Sequence, residues 1–178
     1  AIWIGGILKD IGKKNIEHWK TTNPDYEMNV WIDSSTYLTN KGEEALHQHD
    51  EYIKFKRWAT NHDIRINDIN PDSTDLSDDI IKKTDIFNNM KSQKHYLEEI
   101  TNPGANYAAA SDILRVEILY QEGGVYFDAE DVFPDQPLGH LEVTDNGILI
   151  HKTETWYNND LLASIACGKT ISQYRDKI

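Results

Sequence analysis

NYAAASDILRVEILYQEGGVYFDAED, residues 106–131, holds a helix, its stop and a strand in immediate succession. The placing of Tyr107, Leu114 and Ile118 on one side predicts a helix over 107–121. Gly123 and Gly124 stop it, and Val125-Tyr126-Phe127 opens a strand that ends in the acidic run Asp128-Ala129-Glu130-Asp131. Working outward, AIWI (1–4), closed by Gly5-Gly6, reads as a short buried strand, and MNVWID (28–33) as a second. NIEHWK (15–20) between them reads as helix. Residues 41–60 place Leu46, Tyr52 or Ile53, and Trp58 at helical spacings among many charges, which predicts an amphipathic helix with one solvated face. IRINDI (64–69) alternates like an edge strand, and the polar stretch 70–79 reads as a loop. A helix is expected over 86–100, broken at Asn102-Pro103-Gly104. GILIH (147–151) reads as a last strand, followed by a polar turn at Asn158-Asn159-Asp160 and helical material to Ile178. Helices alternate with strands, so the expected class is α/β with a mostly parallel central sheet.

Composition bounds what such a fold can do. A chain of 178 residues is the size of one domain, and no interdomain linker or internal repeat interrupts it. A formal charge of -12 argues against nucleic acid or an anionic membrane surface as the main partner. The sequence shows neither an apolar run of about 20 residues nor the basic start and long apolar stretch of a signal peptide, so a soluble chain without a membrane span is expected. The single cysteine, Cys167, allows no intrachain disulfide and no cysteine-based zinc site, and is most simply a small packing residue.

The chemistry gathers where strands end. An open α/β sheet binds ligands at the carboxyl ends of its strands, where this sequence puts Asp33, the acidic run 128–131, and His151. In an extended strand end Asp128 and Glu130 point to the same side, so two hard oxygen ligands approach one divalent cation and a diphosphate completes the shell. All-oxygen ligation suits Mg²⁺ or Mn²⁺ rather than zinc. Asp112 and Arg115, three apart, share one face of the helix that leads into that strand.

Read together, YAAASDILRVEILYQEGGVYFDAED, the opening IWIGG, WKTTNPDYEMNVWIDSS and NNDLLAS resemble, in order and content, the DXD-motif glycosyltransferase domains of the large clostridial cytotoxins and related bacterial toxins and effectors. The resemblance spans residue 2 to about 165. It implies a GT-A type, Rossmann-like nucleotide-sugar-binding fold, a single catalytic domain over 1–178, a UDP-sugar donor (UDP-glucose or UDP-GlcNAc) and Mn²⁺ or Mg²⁺. The implied reaction is transfer of one sugar with retention, by a hexosyltransferase or N-acetylhexosaminyltransferase, to a hydroxyl of a host protein. That acceptor would be a Rho/Ras-type small GTPase, met in the host cytosol after secretion or injection. Carried over residue by residue, Ile2 and Trp3 meet the uracil, with Trp3 stacking on it. Asp112 and Arg115 hold ribose or sugar hydroxyls, Tyr126 lies against the sugar-phosphate, Asp128 binds through the ribose or a metal water, Glu130 takes the second aspartate's place as metal ligand, and Asn158 contacts the donor sugar.

Two departures mark this chain. The motif's second carboxylate is Glu130, one methylene longer, with Asp131 next to it, so either could be the direct ligand; Glu130 is preferred. The family's C-terminal segment, which closes over the diphosphate, has no clear match before Ile178. The same fold could instead serve a carbohydrate or lipid acceptor, or bind a nucleotide sugar or metal without turnover. Other prominent residues have plainer readings. Trp19, Trp31 and Trp58 fit packing, Trp156 could flank the donor, Asp33 fits a strand-ending turn with Ser34-Ser35, and His47, His49, His62, His95 and His151 lack metal spacing.

Overall fold

The computed structural model of the protein describes residues 1–37, 43–72, 81–144 and 146–178. The elements run β1 (Ile2–Trp3), α1 (Asp10–Thr22), β2 (Met28–Ile32), a 3₁₀ turn (Ser34–Thr36), α2 (Glu43–Asn61), β3 (Ile64–Asp68), β4 (Ile81–Lys83), α3 (Gln93–Thr101), α4 (Tyr107–Glu122), β5 (Gly124–Phe127), β6 (Leu149–Lys152), β7 (Tyr157–Ser164) and α5 (Lys169–Arg175). β1, β2, β3 and β4 form one parallel sheet in that order, with Ile2 opposite Trp31 and Val30 opposite Ile66. A second, antiparallel sheet has the order β5-β7-β6.

Burial on both faces explains the near-continuous apolar reading of the parallel strands. Val30, Ile32 and Ile66 pack toward Ile16 and Trp19 of α1 and Tyr52 and Phe55 of α2. Trp31 and Ile2 join Tyr96 of α3, Leu114 and Ile118 of α4, and Ile171 of α5. β5 splits the same way, Phe127 into the first core and Tyr126 into the second. α4 is buried at every position from Ile113 to Leu119, which marks it as the central helix. The Asn106 side chain caps its start on the N–H of Ala109, and Gly123, at φ 73°, ends it. A Cβ on Gly123 would lie 2.7 Å from the backbone nitrogen of Ala166, so the turn into β5 needs glycine for space as well as for its dihedral.

Three expectations need correction. IRINDI is an interior strand, because β4 pairs beyond it in parallel. The helix expected over 86–100 begins only at Gln93, after turns spanning 85–92. Asn158-Asn159-Asp160 forms no turn: these residues lie in β7, the middle strand of the antiparallel sheet, and α5 is the helix that follows it. Pairing on both edges, Phe127 with Leu161 and His151 with Asn158, overrides their poor strand preference. The start of the helix expected at 41–60 and most of the loop expected at 70–79 lie outside the described residues, and α2 is seen from Glu43.

Candidate active site

β5 delivers its acidic end to a place that α1 and α4 have already built. The chain does not stay extended after Phe127; it turns over 129–131, and the Val132 N–H donates to the Asp128 carbonyl at 3.2 Å. Strand alternation therefore does not set the relation of Asp128 to Glu130, as the sequence reading assumed. α1 holds the turn. Its buried face, Gly12, Asn15, Ile16 and Trp19, follows helical spacing. The Asn15 side-chain amide donates to the carbonyls of Ala129 and Val132, both at 2.8 Å, and the Trp19 indole donates to Val132 at 2.8 Å. Trp19 also stacks on Phe127, with ring centroids 4.4 Å apart.

Arg115 is the centre of the cluster. It is buried, lies 4.5 Å from the centre of the Tyr126 ring, and donates to the Asn159 carbonyl at 2.7 Å. Its guanidinium reaches Asp112 at 2.9 Å and Asp128 at 3.4 Å. The Tyr126 hydroxyl donates to the same Asp128 oxygen. β7 closes the group: the Asn159 amide donates to Asp112 at 3.0 Å, and the Asp160 carbonyl receives the Asp128 N–H at 2.8 Å. Asp160 in turn meets His151 at 2.9 Å and the Asn158 amide at 3.1 Å.

Electrostatics favour an added cation. Burial raises the Asp128 carboxyl above its ordinary range; the Tyr126 hydroxyl and Arg115 pull it down, while Asp131 and Asp160 push it up. Burial likewise drives the Tyr126 phenol far up, so it remains a neutral donor. Glu130 points elsewhere. Its Oε2 lies 3.3 Å from the Lys9 ammonium, and its Oε1 is buried without a hydrogen-bond partner. Asp131 is exposed. Among the described residues no three His, Cys, Asp or Glu gather as a metal cluster. The hard carboxylate oxygens of Asp128 and Glu130, the orphaned Oε1 among them, are the donor type that Mg²⁺ or Mn²⁺ takes, with the remaining ligands from water or a diphosphate.

The residues singled out from sequence thus fall into groups. Asp112, Arg115, Tyr126 and Asp128 converge directly. Trp3 and Glu130 are joined through Lys9, which lies 5.5 Å from the Trp3 ring centre. Ile2 is buried in the core beside α4. Asn158 meets Asp160, whereas its neighbour Asn159, which the sequence reading placed in a turn and gave no role in the site, touches both Asp112 and Arg115. Lys9 and the site roles of Asp160 and His151 also escaped that reading, since the β5–β7 pairing brings Asp160 to Asp128 and the β6–β7 pairing brings His151 to Asp160. Trp156, 73% exposed, stands at the tip of the β6–β7 hairpin. Asp33 is a buried turn acid bound by Ser35 and by the Tyr96 hydroxyl at 2.7 Å. A cavity of about 280 Å³ adjoins the cluster: Ile2, Arg115 and Tyr126 are in its wall, together with Met28 and Asn29 at the start of β2 and Gly124 and Val125 at the start of β5.

Comparison with known proteins bears on the fold and the family. The chain superposes on the PaToxG glycosyltransferase with a TM-score of 0.73 at 23% identity, over 98% of this chain and 56% of that one. It superposes on the UDP-bound glycosyltransferase domain from the YGT toxin with a TM-score of 0.64 at 18% identity, over 99% and 60%. The fold is the GT-A type of these toxin domains. In sequence it is 28% identical to Toxin B of Clostridioides difficile over 72% of the chain, and 31% identical to a toxin of Photorhabdus asymbiotica over 74%. It is 27% identical to the subversion of eukaryotic traffic protein A of Legionella pneumophila over 79%. The chain spans only 8%, 4% and 19% of those three proteins, respectively. The TcdA/TcdB catalytic glycosyltransferase domain matches residues 1–54 and 43–142, the part that carries β1, α1, α4 and the acidic end of β5, and the chain belongs to that family.

Proposed function

We propose that this domain is a metal-dependent, retaining glycosyltransferase that moves a single glucose or N-acetylglucosamine from its UDP-sugar to a hydroxyl of a host protein. The observation that carries the reading is the convergence of Asp112, Arg115, Tyr126 and Asp128 at the carboxyl end of β5, with the orphaned Glu130 oxygen in the adjoining turn. Asp128 and Glu130, with Asp131 as the alternative to the second, would hold Mn²⁺ or Mg²⁺, and the ion would stabilise charge on the departing diphosphate. Trp3 offers the uracil an aromatic face at the end of β1. Asp112 and Arg115, fixed to each other and to Asn159, present a charged and a polar edge that orients sugar hydroxyls. Tyr126 keeps its proton and so holds Asp128 by a hydrogen bond. In a front-face reaction the leaving diphosphate oxygen takes the acceptor's proton, which leaves these side chains the work of binding and orientation.

The family supports a small GTPase of the Rho/Ras type as acceptor, reached in the host cytosol after secretion or injection. The test is transfer from radiolabelled UDP-glucose and UDP-GlcNAc, with and without Mn²⁺, to a panel of small GTPases and to carbohydrate and lipid acceptors. Metal-dependent labelling of a GTPase, lost in Glu130→Gln, is expected. Labelling of a carbohydrate or lipid alone would move the acceptor class, and binding without either hydrolysis or transfer would reduce the domain to a nucleotide-sugar-binding module.

A further inference from the structure

Lys9 sits where two parts of the candidate site meet. Its backbone is fixed as the residue that opens α1, and its carbonyl accepts the N–H of Lys13 at 3.0 Å. The side chain is exposed, yet its ammonium lies 3.3 Å from Glu130 Oε2, across 121 positions of sequence, and 5.5 Å from the centre of the Trp3 ring. It therefore meets both the carboxylate read as a metal ligand and the ring read as the base platform. Glu130 shows a divided environment: one oxygen on Lys9, the other buried and unpartnered.

The geometry points to Lys9 as a built-in counter-ion that holds Glu130 while no dication is present and must yield it when one binds. This inference rests on the metal reading given above. A single ammonium satisfies one Glu130 oxygen with one unit of charge; a dication brings twice the charge and can take up the orphaned Oε1 as well. The two cations repel, so binding of one weakens the hold of the other. Once released, Lys9 remains tethered by α1 beside Trp3, in reach of an anionic ligand seated there. Lys9 thus sets the threshold of metal binding, and couples it to the arrival of a nucleotide diphosphate.

The test is Mn²⁺ titration of the full chain, read as loss of the free-ion electron paramagnetic resonance signal, with and without UDP and at low and high salt. Thermal melts check that each variant is folded. Lys9→Met should bind Mn²⁺ roughly two- to fivefold more tightly than wild type in the absence of UDP, the factor that release of one partly exposed ion pair allows. Lys9→Arg should stay near wild type, and the gain from Lys9→Met should shrink as salt screens the pair in the parent. With UDP present the gain should fall or reverse, because the ammonium that would meet the diphosphate is gone. Glu130→Gln should lose binding in every background. If Lys9→Met equals or falls below wild type without UDP while Glu130→Gln is dead, the Lys9 inference fails and the metal reading stands. If wild type and Lys9→Met both ignore Mn²⁺ even with UDP, or if Glu130→Gln binds it normally, both readings fail.

Discussion

α4 carries two buried charges two residues apart, and the protein treats them in opposite ways. Glu117 faces α5 and the turn before α3. It accepts the Ser92 N–H at 3.0 Å and Arg175 Nε at 2.7 Å, and Arg175 also donates to the Asn89 carbonyl and lies 4.2 Å from the centre of the Tyr120 ring. Arg115 faces β5 and β7, and it too lies over a tyrosine ring and donates to a carbonyl, but its carboxylates are Asp112 and Asp128, both open to solvent in part. The first assembly matches one negative with one positive charge, out of water. The second leaves carboxylates in excess beside a raised Asp128. A closed pair locks elements together; an unbalanced one at a strand end leaves a demand for a cation that a ligand can meet.

Removing one member of the closed pair should have the largest effect on the fold. Glu117→Ala leaves Arg175 facing a buried gap and frees the Ser92 N–H, and should cost about 3–5 kcal/mol, as breaking buried ion pairs does. Urea titration of the variant checks it, and a loss below about 1 kcal/mol would show that α5 is held by packing alone. Asp128→Asn should behave in the opposite way. Donor binding should fall about a hundredfold, a size in keeping with loss of a charged, desolvated contact, while the melting temperature holds or rises.

The sign of that second effect follows from Asp128's raised pKa. Its neutral form is favoured in the folded state relative to the unfolded one, so stability from this group is present at low pH and lost as pH rises through the raised value. Above the raised value the carboxylate is charged in both states and the folded state bears the full penalty. The advantage of Asp128→Asn over wild type should therefore be greatest near neutrality and shrink as pH falls through that range. Melting curves across pH 4–8 for both proteins would decide it; a variant less stable than wild type at neutral pH would mean that Arg115 and Tyr126 more than compensate the burial of Asp128.

How much of this was legible in the sequence tracks the range of the interactions. α4, its glycine stop and β5 were readable because the one-sided spacing of Tyr107, Leu114 and Ile118, the Gly123-Gly124 stop and the apolar start of the strand are local signals, all within one 26-residue passage. So were Asp112, Arg115, Tyr126 and Asp128, which belong to that passage and converge in the structure. β7 was not readable: two asparagines and an aspartate signal a turn, and only pairing with β5 and β6 turns them into a strand. The partners that β7 supplies were lost with it. Lys9 was missed for the same reason, since nothing near it in sequence announces a carboxylate 121 residues away.

The smallest expected effect tests whether that missed strand belongs to the open assembly. The resemblance points to Asn158, but the side chain that binds Asp112 is that of Asn159, whose carbonyl also receives Arg115. In a paired strand successive side chains face opposite sides. Asn158 is accordingly turned toward Asp160 rather than toward α4. Asn159→Ala removes one hydrogen bond to a charged acceptor and should weaken donor binding by roughly 1–2 kcal/mol, about five- to thirtyfold, with little change in melting temperature. Asn158→Ala should act only through Asp160 and His151, and so by less. Donor titrations of the two variants side by side separate the cases. An Asn158→Ala loss larger than that of Asn159→Ala would mean that the donor sugar itself reaches Asn158, and that the open assembly extends along β7 beyond the ring of contacts around Arg115.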